Sequence, residues 1–241
     1  MKKKYVYKKR RQPFFKLIGC ILRPFVKKPK KIINYNETIE DKAIILSTHC
    51  GKNGPYCLSQ YLPIKHATWG AGEMMGKYRV RRRYLRDVLY RQKLHKGKFS
   101  SSVKATFEAF FNPFIYKGMS VIPTYTDIHF MTTLKASFET LNNNLPIVIF
   151  PEDSTDGYFE ILKSLLPGFI HLSERYYKRD NIDLPIYPMY YHYKEKVIII
   201  GKPLYIRKLK EDNLTNEEIC ELFKDKINNL YLDYKKANEK E

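Results

Sequence analysis

Cysteine is scarce in this 241-residue chain: four residues, at positions 20, 50, 57 and 220, with no Cys-x-x-Cys pair among them. The six histidines are scattered, and only His49-Cys50 sets two such groups side by side. A structural zinc site needs four ligands at short, regular spacing, so no metal is expected. No small-residue cleavage site follows the N-terminal apolar stretch. No signal peptide is therefore expected, and the thiols read as free in a reducing cytoplasm. That stretch is also too short and too interrupted to span a bilayer. A Gly-x-Ser-x-Gly elbow is missing, which removes the usual serine hydrolase. Internal repeats and known DNA- or RNA-binding motifs are missing as well.

Acid is locally scarce. Residues 1–36 carry thirteen Lys and Arg and no Asp or Glu, and residues 76–98 carry ten against the single acid Asp87. These two segments hold more than the whole net charge of +19, so the rest of the chain is slightly acidic. An apolar fraction of 44% is enough for a proper core. At this length we expect a basic amphipathic arm over 1–36, an α/β domain over 37–210 and a C-terminal helix over 211–241.

Concentrated positive charge seeks phosphate, on nucleic acid or on an anionic membrane. The apolar companions favour the membrane. Large apolar residues at 14, 17, 18, 21, 22 and 25 follow helical spacing around Lys16 and Arg23. That describes an interfacial helix among lipid headgroups; a helix packed on the domain's own core is the structural alternative. In the second segment Arg79, Arg81, Arg82 and Arg83 precede Tyr84, Leu85, Val88 and Leu89. This reads as a basic amphipathic helix whose arginine stems cover apolar surface while the heads reach phosphate. The cluster Phe107, Phe110, Phe111, Phe114 and Tyr116 is expected mainly in the core, with membrane contact as the alternative.

Along the chain, Asn34–Glu37 reads as a linker into the body. Strands are expected over 43–48, 64–69, 117–123, 147–150, 184–189 and 197–200, with helices from Pro55, over 128–141 and over 159–177. A solvent-facing helix over 215–235 is capped by Thr215, with Glu218 three positions on. This alternation implies an α/β fold with a mixed, mainly parallel sheet flanked by helices.

Two strand ends carry chemistry. Ile147–Phe150 is a buried strand stopped by Pro151 and followed at once by Glu152, Asp153, Ser154 and Thr155. Ala43–Thr48 is a second such strand, ending in His49 and a loop with Gly51, Asn53 and Gly54 that turns tightly enough to approach a ligand. Open α/β sheets place their sites at this carboxyl edge. An ordinary surface turn and a structural histidine are the plain alternatives.

Over residues 40–206 this order of blocks resembles the glycerophospholipid acyltransferase family that includes bacterial 1-acylglycerol-3-phosphate acyltransferases. The family's His-x-x-x-x-Asp falls on His49 to Gly54, and its Gly-led strand with a following Arg on Gly118 to Thr126. Its Phe-Pro-Glu-Gly matches Phe150-Pro151-Glu152 with Asp153 in the glycine's place, and its Pro-containing strand matches Leu184–Pro188.

The resemblance implies an acyltransferase-like fold in which His49 is the general base toward an acceptor hydroxyl. The acyl donor would be acyl-CoA or acyl carrier protein, with no further cofactor. Two departures matter. Gly54 replaces the orienting Asp, and Thr126 stands where a phosphate-holding Arg is expected. Among Glu73, Asp127, Glu152, Asp153 and Asp156, the substitute carboxylate is assigned to Glu152 or Asp153, and Arg79–Arg86 could replace the missing Arg. The resemblance thus implies acyl transfer to a lysophospholipid or related glycerolipid at the cytoplasmic face of the membrane, with anionic lipids as partners and no nucleic acid. A non-enzymatic lipid-binding relative, a nucleic-acid binder and a Cys50 nucleophile are the competing readings; adjacent positions 49 and 50 would need a sharp turn to cooperate.

Overall fold

The structure is a computed structural model that describes residues 28–50 and 53–239, with Cys20 and Val26 as isolated positions before them. The expected amphipathic helix over 14–25, with Lys16 and Arg23, lies outside the described residues.

The strands are β1 (Lys31–Asn34), β2 (Ile44–Ser47), β3 (Ala67–Ala71), β4 (Val121–Thr124), β5 (Ile147–Ile149), β6 (Pro185–His192), β7 (Val197–Ile200) and β8 (Leu204–Tyr205). Around them lie α1 (Asn53–Tyr61), α2 (Tyr78–Tyr84), α3 (Lys98–Gly118), α4 (Phe130–Asn142), α5 (Gly168–Asp180), α6 (Ile206–Glu211) and α7 (Asn216–Asn238). The α2 helix continues directly into a nine-residue π-helix, Leu85–Lys93.

One mixed sheet results, in the order β1-β7-β6-β2-β5-β3-β4, with β8 beside β6. From β6 to β4 all neighbours are parallel, whereas β7 and β8 run antiparallel to β6, and β1 follows β7. Central parallel strands are covered on both faces, which is why Ile44-Ile45-Leu46 and Ile147-Val148-Ile149 are apolar without a break. Successive side chains take opposite faces. Ile44, Leu46, Ile147 and Ile149 join the larger core beneath α4, α5 and α7, while Ile45 and Val148 join Cys57 and Leu58 of α1. The helical excursion between β3 and β4 has a small core of its own, built from Met74, Leu85, Tyr90, Ala105 and Ala109.

Several sequence expectations need correction. Residues 117–120 belong to the end of α3 and a turn in which Ser120 takes φ +55°, so the strand starts only at Val121. The strand expected over 64–69 is shifted to Ala67–Ala71. Residues 159–167 are not helical. Asn228 of α7 accepts the Leu162 N–H at 2.9 Å and donates to the Leu162 carbonyl at 3.0 Å, supplying partners that a helix would otherwise provide. The C-terminal helix is not solvent-facing: Ile219, Phe223, Ile227 and Tyr231 repeat every four residues and pack into the larger core. Its capping box at Thr215 and Glu218 is present as expected. The end of the presumed arm and linker is β1, paired in register with β7. Phe107, Phe110, Phe111 and Phe114 are exposed rather than core; of that cluster only Tyr116 is half-buried. Among the described residues, no helix is long and apolar enough to cross a membrane.

Candidate active site

Register brings the two marked strand ends together. Because β2 and β5 are parallel, with Leu46 opposite Ile149, the residues that follow them emerge at the same edge. Thr48 secures the end of β2 on its other side: its hydroxyl donates to the Tyr191 carbonyl and accepts the Tyr191 N–H, both at 3.0 Å. His49 follows, and Cys50 turns the chain sharply with φ +46°. The His49 ring packs between Tyr158, stacked at 4.7 Å, and Phe150, tilted at 4.9 Å.

Glu152 is buried beside it. Its Oε2 accepts the backbone N–H of His49 at 3.3 Å, and its Oε1 accepts that of Phe159 at 3.4 Å. Burial pushes the Glu152 carboxyl up from its ordinary 4.5 to about 7, against the opposing pull of those two N–H groups and of the Lys93 charge. Asp153, the other carboxylate assigned to support His49, turns back on its own loop, accepting the Thr155 N–H at 3.1 Å and the Thr155 hydroxyl at 2.7 Å. Of that pair, Glu152 is therefore the one bonded to residue 49. Pro151 ends the strand, and its carbonyl accepts the Leu166 N–H at 2.7 Å.

Gly54 is buried under the turn, its N–H donating to the His49 carbonyl at 3.1 Å. A Cβ here would sit 2.3 Å from that carbonyl oxygen. The backbone therefore has no room for the family's Asp, or for any side chain, at position 54. Asn53 opens α1.

A residue outside the sequence-derived site completes the edge. Lys93, at the end of the π-helix, reaches into the acidic loop and donates to the Ser154 Oγ at 2.6 Å, while Gln92 donates to the Thr155 carbonyl at 3.2 Å. Burial pulls the Lys93 ammonium below its ordinary value, and the carboxylates of Glu152, Asp153 and Glu73 counter that pull. Lys93 lay within the basic segment noted from the sequence. Only the wider π turn, frequent at functional sites, distinguishes it from its neighbours. The arginines expected to hold phosphate are otherwise disposed. Arg81 donates to the carbonyls of Gly76 and Ala109, and Arg82 to the Thr106 hydroxyl, so both pin α2 to its surroundings. Arg79 and Arg83 are exposed.

A cleft of about 430 Å³ opens at this edge, within the ~300–1,000 Å³ usual for small-ligand sites. His49, Glu152, Asp153, Ser154, Thr155 and Lys93 line it, as do Thr126 and Asp127. The remaining lining is largely aromatic and aliphatic, including Tyr56, Met74, Tyr84, Leu85, Leu89 and Tyr116. Gly118, expected to touch substrate, instead lies buried at the end of α3 and is not among the cleft's lining residues. The Asp127 carboxylate meets the His129 Nδ1 at 3.0 Å, and Asp156 is exposed. Among the described residues, no group of three or more His, Cys, Asp or Glu is placed to hold a metal ion.

No protein-family model matches the chain, and no curated protein matches it significantly.

Proposed function

We propose that this protein has an acyltransferase-like fold and moves a fatty acyl group from acyl-CoA or acyl carrier protein to a hydroxyl of a lysophospholipid or related glycerolipid. The observation that carries this reading is the bonded pair of strand ends, His49 and Glu152, lining a cleft whose remaining lining is largely aromatic and aliphatic. His49 takes the acceptor's hydroxyl proton as that oxygen attacks the thioester carbonyl carbon. The new C–O bond forms and the C–S bond breaks; the departing thiolate recovers the proton from the imidazolium. Glu152 fixes the backbone at His49, and Lys93 takes the place of the missing family Arg toward an acceptor phosphate. Tyr84, Leu85 and Leu89 receive the acyl chain. Anionic lipids hold the protein peripherally on the cytoplasmic leaflet.

The closed space at Gly54 favours a second reading, a lipid-binding relative without turnover. Acyl transfer from radiolabelled acyl-CoA and acyl carrier protein to a panel of lysolipids, with His49→Ala as control, separates the two. Transfer that vanishes in the variant supports the enzyme. No transfer by folded wild-type protein that still binds lysolipid supports the relative.

A further inference from the structure

Helix α3 is amphipathic in an inverted sense. Its buried residues, Ser101, Ala105, Ala109, Asn112, Ile115 and Gly118, are mostly small, whereas its outer face carries its large apolar side chains. Phe99, Val103, Phe107, Phe110, Phe111 and Phe114 are 40–84% exposed. At 100° per residue they fall within about 120° of the helix circumference and run for roughly 22 Å along its axis. An uncovered row of this length is not how a soluble surface is normally finished.

The charge around the row identifies what covers it. Arg79, Arg83, Lys98, Lys104 and Lys117 on α2 and α3 are all exposed. The acids of this excursion are turned elsewhere or neutralised: Glu73 and Glu108 line the cleft, and Asp87 is held by Arg86 at 2.7 Å and by Arg91 at 3.4 Å. Projecting phenylalanines fringed by cations suit an anionic bilayer, where rings sink below the headgroups and ammonium and guanidinium groups stay among the phosphates.

We propose that the outer face of α3 inserts into the anionic leaflet of a bilayer. The inner face of the same helix supplies Glu108, Asn112 and Tyr116 to the cleft wall. One helix therefore separates lipid from site, and the acceptor passes to the cleft from the plane of the leaflet. This deepens the proposed function and rests on it for its purpose, but the physical test needs no turnover.

The full-length protein carrying Phe110→Trp is mixed with phosphatidylcholine vesicles containing a quarter phosphatidylglycerol, with and without acyl-chain bromination. The parent protein, whose single Trp69 is buried, gives the background. The new emission is expected to be water-like in solution, to shift blue on the vesicles and to be quenched by the brominated chains. Phe107→Ser with Phe110→Ser is expected to weaken vesicle binding roughly a hundredfold with the melting temperature unchanged. Blue emission before vesicles are added overturns the inference, because another part of the chain or a second copy then covers the row. Vesicle binding with no shift and no quenching also overturns it, because a different segment then makes the contact. Insertion observed with a protein that transfers no acyl group leaves this inference standing while removing the enzymatic one.

Discussion

The Lys93 ammonium lies 2.6 Å from the Ser154 hydroxyl, which ties the end of a π-helix to the acidic loop after β5. This contact brings a cation to an edge otherwise furnished with carboxylates. Lys93→Met is expected to raise KM for phosphate-bearing acceptors at least tenfold, the loss of one charge-assisted bond, with a smaller change for a neutral monoacylglycerol. Lys93→Arg should recover part of that. Equal losses on both acceptors would show that Lys93 only holds the loop.

His49 carries the proton transfer in the proposed reaction. His49→Ala should lower kcat by about 10²–10⁴-fold and leave thermal stability close to wild type. Steady-state rates and a melt on the same preparation decide this.

Position 54 tests the packing under that histidine. Gly54→Asp, the change that would complete the resemblance to the acyltransferase motif, should reduce activity, because its Cβ meets the His49 carbonyl oxygen. Gly54→Ala should already cost about 1–3 kcal/mol, read as a lower midpoint in urea. An Asp variant with raised activity would show that the turn opens more readily than its geometry implies.

Glu152 gives a pH dependence of definite sign. Its folded-state value of about 7 lies above its ordinary 4.5, so the native state holds the proton more tightly than the unfolded chain. Its contribution is complete below pH 4.5 and is lost as pH rises to 7, by roughly 3 kcal/mol. Urea midpoints measured across that window should fall less steeply in Glu152→Gln than in wild type. Parallel curves would remove the raised value.

At the far end of the chain, Thr215→Ala breaks the capping box. About 1 kcal/mol of stability should go, a fall of roughly 2–4 °C in Tm, with acyl transfer unaffected.

What could be read from the residues is what depends on short range. A branched apolar run stopped by Pro151 announces a buried strand and its end, and parallel pairing then carries Glu152 to His49. Thr215 and Glu218 likewise declare a helix start by themselves. The failures lie where the pattern of residue types does not carry the deciding feature. Residues 159–167 have helical apolar spacing, but Asn228 takes up the backbone groups of Leu162. The phenylalanines of α3 have the period of a core helix, and nothing in that period tells whether the stripe faces inward. Lys93 is one cation among ten until the π turn sets its direction.

The first strand of the sheet also fixes a side. Lys31 is level with Val197, and Val197 with His192, the last residue of β6. Since β1 runs against β6, the chain joins the sheet at the edge where His49 and Glu152 emerge rather than at the opposite one. The described residues that lead into β1, from Lys28 to Lys30, thus reach the sheet on the working side.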